Sequence, residues 1–111
     1  MLLAAILHKE TGKEVSKLAQ DDLFRPLGIK NAEWTRKRWY GGLRLRARDL
    51  AKLGQLVLNE GGWNGRQIVP AGWIRGSTEP RFNGWPRFRY GYQWVLGSST
   101  ANGRDVPWIA R

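Results

Sequence analysis

Apolar positions fall along the chain in blocks separated by polar, glycine-marked joints. Met1 to Leu7 is continuously apolar, and His8 and Lys9 follow before Gly12. This predicts a helix over 1–11 that stops at a glycine, with its basic residues in the last turn where the helix dipole favours them. Val15, Leu18, Ala19 and Leu23 recur at i, i+3, i+4 and i+8 and predict a second helix, which Pro26 ends near Phe24. Leu27-Gly28-Ile29 is an apolar turn expected to tuck under a core. Residues 30–46 follow neither a helical nor a strand period and read as irregular. A third helix is predicted over Ala47–Asn59, with Leu50, Leu53, Gly54, Val57 and Leu58 on one stripe. Asp49 lies in its first turn and Gly61-Gly62 stops it. Leu50, Leu53 and Val57 are expected among the few fully buried side chains.

Trp63-Asn64-Gly65-Arg66 is a turn, because Asn-Gly tolerates the positive φ angles that a two-residue connection needs. Pro70 opens a short fourth helix running to about Arg75. Residues 77–89 read as loop. Tyr90–Leu96 alternates and is aromatic, which predicts a strand; Gly97–Asp105 is a polar turn and Val106–Arg111 a second strand. The expectation is an α+β fold with helices packed on a C-terminal antiparallel hairpin, all within a single partial domain covering 1–111. At least one strand edge should be unpaired. The first helix carries no N-cap for its leading N–H groups and should expose its apolar run; both features fit an element of a larger fold. Trp63 and Trp73 are expected to anchor the core.

Composition changes this picture in one respect. The 111 residues carry a net charge of +10, unevenly placed: residues 1–35 hold five Lys/Arg and five Asp/Glu, residues 36–111 fourteen and four. Such an excess suits nucleic acid, an anionic surface or simply a solvated arginine-rich exterior. There is no cysteine, so disulfides and thiolate metal sites are excluded, and His8 is the only histidine. The apolar run Met1–Leu7 is far shorter than the roughly 20 residues of a membrane span. It lacks the basic flank and cleavage motif of a signal peptide, so compartment is not indicated.

Candidate chemistry is thin. Ser16, Ser77, Ser98 and Ser99 are the serines; none opens an S-x-x-K, which would set a lysine one helical turn from a nucleophile, and none sits in a G-x-S-x-G elbow. Lys9-Glu10-Thr11-Gly12 resembles a K-T-G box with an insertion, but it ends a helix instead of lying on a strand. Gly61-Gly62-Trp63-Asn64-Gly65 has no preceding strand to make it a phosphate loop. Glu10/Glu14 and Asp21/Asp22 read as helix-surface charges, not an acid–base pair. No catalytic, cofactor-binding or metal-binding residue is assigned.

A run of motifs nevertheless has a likeness. Gly41-Gly42-Leu43, Ala47-Arg48-Asp49-Leu50-Ala51-Lys52-Leu53-Gly54 and Asn59-Glu60-Gly61-Gly62-Trp63-Asn64-Gly65-Arg66-Gln67-Ile68 follow in order. Together they resemble the GGL…ARDLA…GG-x-W-x-G signature of the beta-lactamase-related serine hydrolases, a family of class C beta-lactamases, D,D-peptidases, esterases and 6-aminohexanoate-dimer hydrolases. Leu23-Phe24-Arg25-Pro26-Leu27-Gly28-Ile29 is similar to its LF-x-PLG segment, and Tyr90-Gly91-Tyr92-Gln93-Trp94 to its YGYQW strand. The resemblance implies an incomplete piece of the beta-lactamase/transpeptidase-like fold. It also implies a parent that cleaves a small-molecule amide or ester through an acyl-enzyme, without cofactor, and is often periplasmic or secreted. The family's S-x-x-K and Y-x-N lie upstream of positions matching Met1, and its K/H-x-G strand beyond those matching Arg111, so this chain alone is expected to be inactive. Only six residues separate Trp34 from Gly41, where the family has a longer loop, so substrate range does not transfer. Arg46 stands where a capping Thr or Ser is usual. The alternative is a small basic nucleic-acid-binding module built on Arg81, Phe82, Trp85, Arg87, Phe88, Arg89 and Tyr90; without a recognition motif, no specific nucleic acid is expected as partner. Oligomeric state is not indicated.

Overall fold

A computed structural model describes residues 2–37, 40–84 and 88–110. The chain is α+β and divides into two compact units, residues 1–68 and 69–111. The expected C-terminal antiparallel hairpin is present as the last two strands of a four-stranded sheet, and two further two-stranded antiparallel sheets are formed among the described residues.

In the first unit, α1 (Leu2–Thr11) ends as its sequence dictates. Gly12 takes φ +67° and its N–H donates to the His8 carbonyl at 2.8 Å, the left-handed cap that glycine adopts without steric cost. No α1 residue is buried, and Leu2 and Leu3 are 77% and 59% exposed. After α2 (Val15–Ala19) the chain widens into a π-helical turn, Gln20–Phe24, where Arg25 N–H reaches back to the Gln20 carbonyl at 3.0 Å. Leu27-Gly28-Ile29 then folds inward as expected, with Ile29 N–H donating to the Phe24 carbonyl at 2.8 Å. Phe24, Leu27 and Ile29 are all at or below 2% exposure, and with Leu56 they are the buried hydrophobic residues among the described residues of this unit.

Residues 30–46 are not wholly irregular. β1 (Glu33–Lys37) pairs antiparallel with β2 (Tyr40–Arg44), placing Trp34 opposite Leu43. The basic triplet Arg36-Lys37-Arg38 hid this alternation, because on a two-stranded ribbon neither face has to be apolar. Arg38, Trp39, Trp85, Arg87, Met1 and Arg111, named above, lie outside the described residues.

Helix α3 (Ala47–Leu58) starts at Arg46 without a side-chain cap. Its buried face differs from the expected stripe. Asp49 and Leu56 are buried, Leu53 and Val57 are half-buried, and Leu50 and Leu58 are 61% and 79% exposed. The inward line therefore runs 49, 52, 53, 56, one residue out of phase with Leu50 and Leu58. Gly61 ends the helix, its N–H donating to the Leu56 carbonyl at 2.8 Å. β3 (Gly62–Trp63) and β4 (Arg66–Gln67) close on the Asn64-Gly65 turn, both with positive φ, as that dipeptide predicts. Trp63 is half-buried.

In the second unit, α4 (Ala71–Thr78) extends three residues past the expected end and buries Ile74 and Ser77. Trp73 is 61% exposed, so it is no core anchor. Residues 77–89 contain the short strand β5 (Phe82–Asn83) and the start of β6 (Arg89–Tyr90). The predicted strand Tyr90–Leu96 is interrupted: Gly91 to Gln93 bend, Gln93 has φ +68° and Gly91 N–H donates to the Trp94 carbonyl at 3.0 Å. Pairing resumes in β7 (Val95–Ala101), which runs through the supposed polar turn to meet β8 (Arg104–Ala110). The true turn is Asn102-Gly103, again with two positive φ angles. The four-stranded order is β5-β6-β7-β8, so β8 stands at one edge among the described residues.

Candidate functional site

The serines are held in scaffold positions. Ser77 is 4% exposed and its hydroxyl donates to the Ile74 carbonyl at 3.0 Å, one turn back in α4. Ser99, exposed on β7, accepts from the Trp108 indole N–H at 3.0 Å. Ser16 and Ser98 are exposed on α2 and β7. His8 closes the end of α1, with Nδ1 3.2 Å from the Lys13 carbonyl and 3.5 Å from Glu14 Oε1. Thr11 of the K-T-G lookalike donates to the Leu7 carbonyl at 2.6 Å; it belongs to a helix end, as its sequence context indicated.

Of the acidic groups weighed as acid–base candidates, Asp21 is engaged twice, with Lys17 Nζ at 3.1 Å and Arg25 Nη2 at 2.8 Å on its Oδ1. Both partners are one helical turn away, the spacing at which side chains meet on a helix. The Lys17 hydrogen bond, assisted by the Lys17 and Arg25 charges, holds the Asp21 carboxyl below the usual carboxylate value against the opposing effect of desolvation. No group of three His, Cys, Asp or Glu side chains that could hold a metal occurs among the described residues. Among those residues too, no helix is long and apolar enough to cross a membrane.

The motif residues converge on structural tasks that sequence reasoning had not assigned. Lys52 Nζ lies 2.9 Å from Asp49 Oδ1 and donates to the Gly28 carbonyl at 3.0 Å. The ARDLAK helix is thus tied to the PLG turn by one ammonium group, and Asp49 is buried because it has this partner. The i, i+3 spacing of Asp49 and Lys52 was the available signal. In the second unit, Gly91 of the YGYQW segment passes so close to the Ser77 carbonyl that a Cβ there would overlap it. The next residue, Tyr92, donates its N–H to that same carbonyl at 3.0 Å. Tyr92 stacks on Trp73 with centroids 5.7 Å apart and planes 30° from parallel, and the Arg81 guanidinium lies 5.3 Å above the Tyr92 ring. Arg81 is itself held by the Gly76 carbonyl at 3.1 Å.

One hollow of about 440 Å³ opens beside the Asn64-Gly65 turn, walled by Asn59, Gly62, Trp63, Asn64, Arg66 and Gln67. Nothing in its wall is acidic. The sequence marked these residues only as a turn.

No curated protein sequence matches the chain. A family model described as Beta-lactamase matches residues 1–109, a span that takes in the PLG turn, the ARDLAK helix clamped to it, the Asn-Gly hairpin and the YGYQW bend. The chain belongs to the beta-lactamase family.

Proposed function

We propose that this chain is a scaffold portion of a serine hydrolase domain whose whole cleaves an amide or ester bond through an acyl-enzyme, in the manner of beta-lactamases, D,D-peptidases and esterases. The observation that carries this is the family match over residues 1–109 in a sequence with no S-x-x-K. Acyl transfer by this route needs a serine whose proton a neighbouring base accepts and an oxyanion site for the tetrahedral intermediate. Ser77 donates its hydroxyl hydrogen to the Ile74 carbonyl, and the Ser99 hydroxyl accepts from the Trp108 indole N–H. On this reading the nucleophile, with its lysine and tyrosine partners, is supplied by none of these 111 residues. What the present residues supply is the frame: the Asp49–Lys52–Gly28 clamp and the antiparallel sheet built on the YGYQW bend. We read 1–111 as part of one such domain, acting on a small-molecule substrate and without a cofactor.

Purified residues 1–111 should hydrolyse neither nitrocefin nor p-nitrophenyl acetate above a buffer blank. Turnover that survives repurification and is lost on replacing one serine by alanine would overturn the proposal.

A further inference from the structure

We propose that the hollow beside the Asn64-Gly65 turn is a binding site for a carboxylate-bearing sugar, an inference independent of the acyl-transfer proposal. In β3 and β4 Trp63 and Arg66 are directly opposed, so their side chains rise side by side on one face of the ribbon. Trp63 offers an aromatic surface to the C–H face of a pyranose ring, and Arg66 offers the planar fork that pairs with a carboxylate through two N–H donors. Arg66 is exposed and makes no ion pair or side-chain hydrogen bond among the described residues. Three side-chain amides complete the wall. The side-chain oxygen of Asn59 accepts from Gln55 at 2.9 Å, which turns its NH₂ into the group left to donate, Asn64 is held at φ +47° at the rim, and Gln67 donates its NH₂ to the Glu60 carbonyl at 2.7 Å. The wall therefore joins a guanidinium and amide groups to one ring face, with no carboxylate, and the complementary ligand is a hydroxyl-bearing ring that carries a negative charge. A volume of about 440 Å³ lies within the range of small-molecule sites, roughly 300–1,000 Å³. Its open form suits a sugar, which stacks on one aromatic face and leaves the other hydroxyls in water.

The test is a titration of the full chain, ¹⁵N-labelled, with D-glucuronate, D-glucose and acetate at constant ionic strength, following the Trp63 indole N–H assigned through Trp63→Phe. Glucuronate should shift Trp63 saturably, with glucose and acetate each weaker by on the order of ten-fold, since each supplies only half of the recognition. Arg66→Gln should weaken glucuronate by a similar factor and leave glucose unchanged. If Arg66→Gln disturbs the spectrum as a whole, Asn64→Gly replaces it: glycine accepts the same positive φ, and loss of the amide should still weaken glucuronate. No shift at Trp63, equal binding of acetate and glucuronate, or indifference to these substitutions would overturn the proposal.

Discussion

Two stretches of the first unit are almost equally apolar and meet opposite fates. Leu2, Leu3, Ile6 and Leu7 of α1 are between 44% and 77% exposed, whereas Phe24, Leu27 and Ile29 are at or below 2%. Hydrophobicity does not separate them; fixation does. The Phe24–Ile29 segment is pinned by its own backbone bonds, Leu27 to Leu23 and Ile29 to Phe24, and by the Lys52 ammonium on the Gly28 carbonyl. Helix α1 has a well-formed C-terminus and an apolar flank that nothing among the described residues buries. In this segment polar contacts on the backbone and burial of the apolar side chains occur together.

The sharpest way to break that contrast is to truncate both sides of it. Phe24→Ala should cost about 3–5 kcal/mol of unfolding free energy, while Leu3→Ala should stay within about 0.5 kcal/mol, both read from urea denaturation of the 111-residue chain. Comparable losses would mean that α1 is packed after all. A smaller effect tests the clamp. Lys52→Ala leaves the buried Asp49 without its cation and the Gly28 carbonyl without its donor, and about 1–3 kcal/mol should be lost. Adding Asp49→Asn to that background should recover part of the loss, because an uncharged amide costs less to bury. The smallest effect concerns acid. Asp21 has a folded pKa below its ordinary value of 3.8, so its contribution is present above that value and is lost as the pH falls through the lower folded pKa. Asp21→Asn should flatten the acid limb of a stability–pH curve below about pH 5 by slightly lowering the stability at neutral pH while leaving the acid end unchanged; an unaltered acid limb would show that the Lys17 and Arg25 contacts carry no stability.

Most of the helices were legible because their stops are chemical. Gly12, Pro26 and Gly61 act through φ or a missing N–H whatever surrounds them. The Asn64-Gly65 hairpin was legible for the same reason, and Asn102-Gly103 carried an identical signal that was masked by the serine-rich stretch before it. What the pattern could not deliver were features set across space. The inward face of α3 carries Asp49 and Lys52, which meet at Gly28, beside Leu53 and Leu56, and this phase leaves Leu50 outward. The polar run Gly97–Thr100 is a strand because Asp105–Trp108 pairs with it. Trp73 rests on Tyr92 and not in a core. The hollow around Trp63 and Arg66 depends on a two-residue ribbon too short to show a period. Candidate catalytic residues were absent from the sequence motifs, and the serines that are present have structural hydrogen bonds or exposed scaffold positions.

We propose that residues 1–111 frame a serine hydrolase without containing its nucleophile, and the decisive test is intact-mass measurement of these residues after incubation with a fluorophosphonate and, separately, with benzylpenicillin. The mass should be unchanged with both reagents. A stoichiometric adduct on a single serine, abolished by prior unfolding, would contradict it.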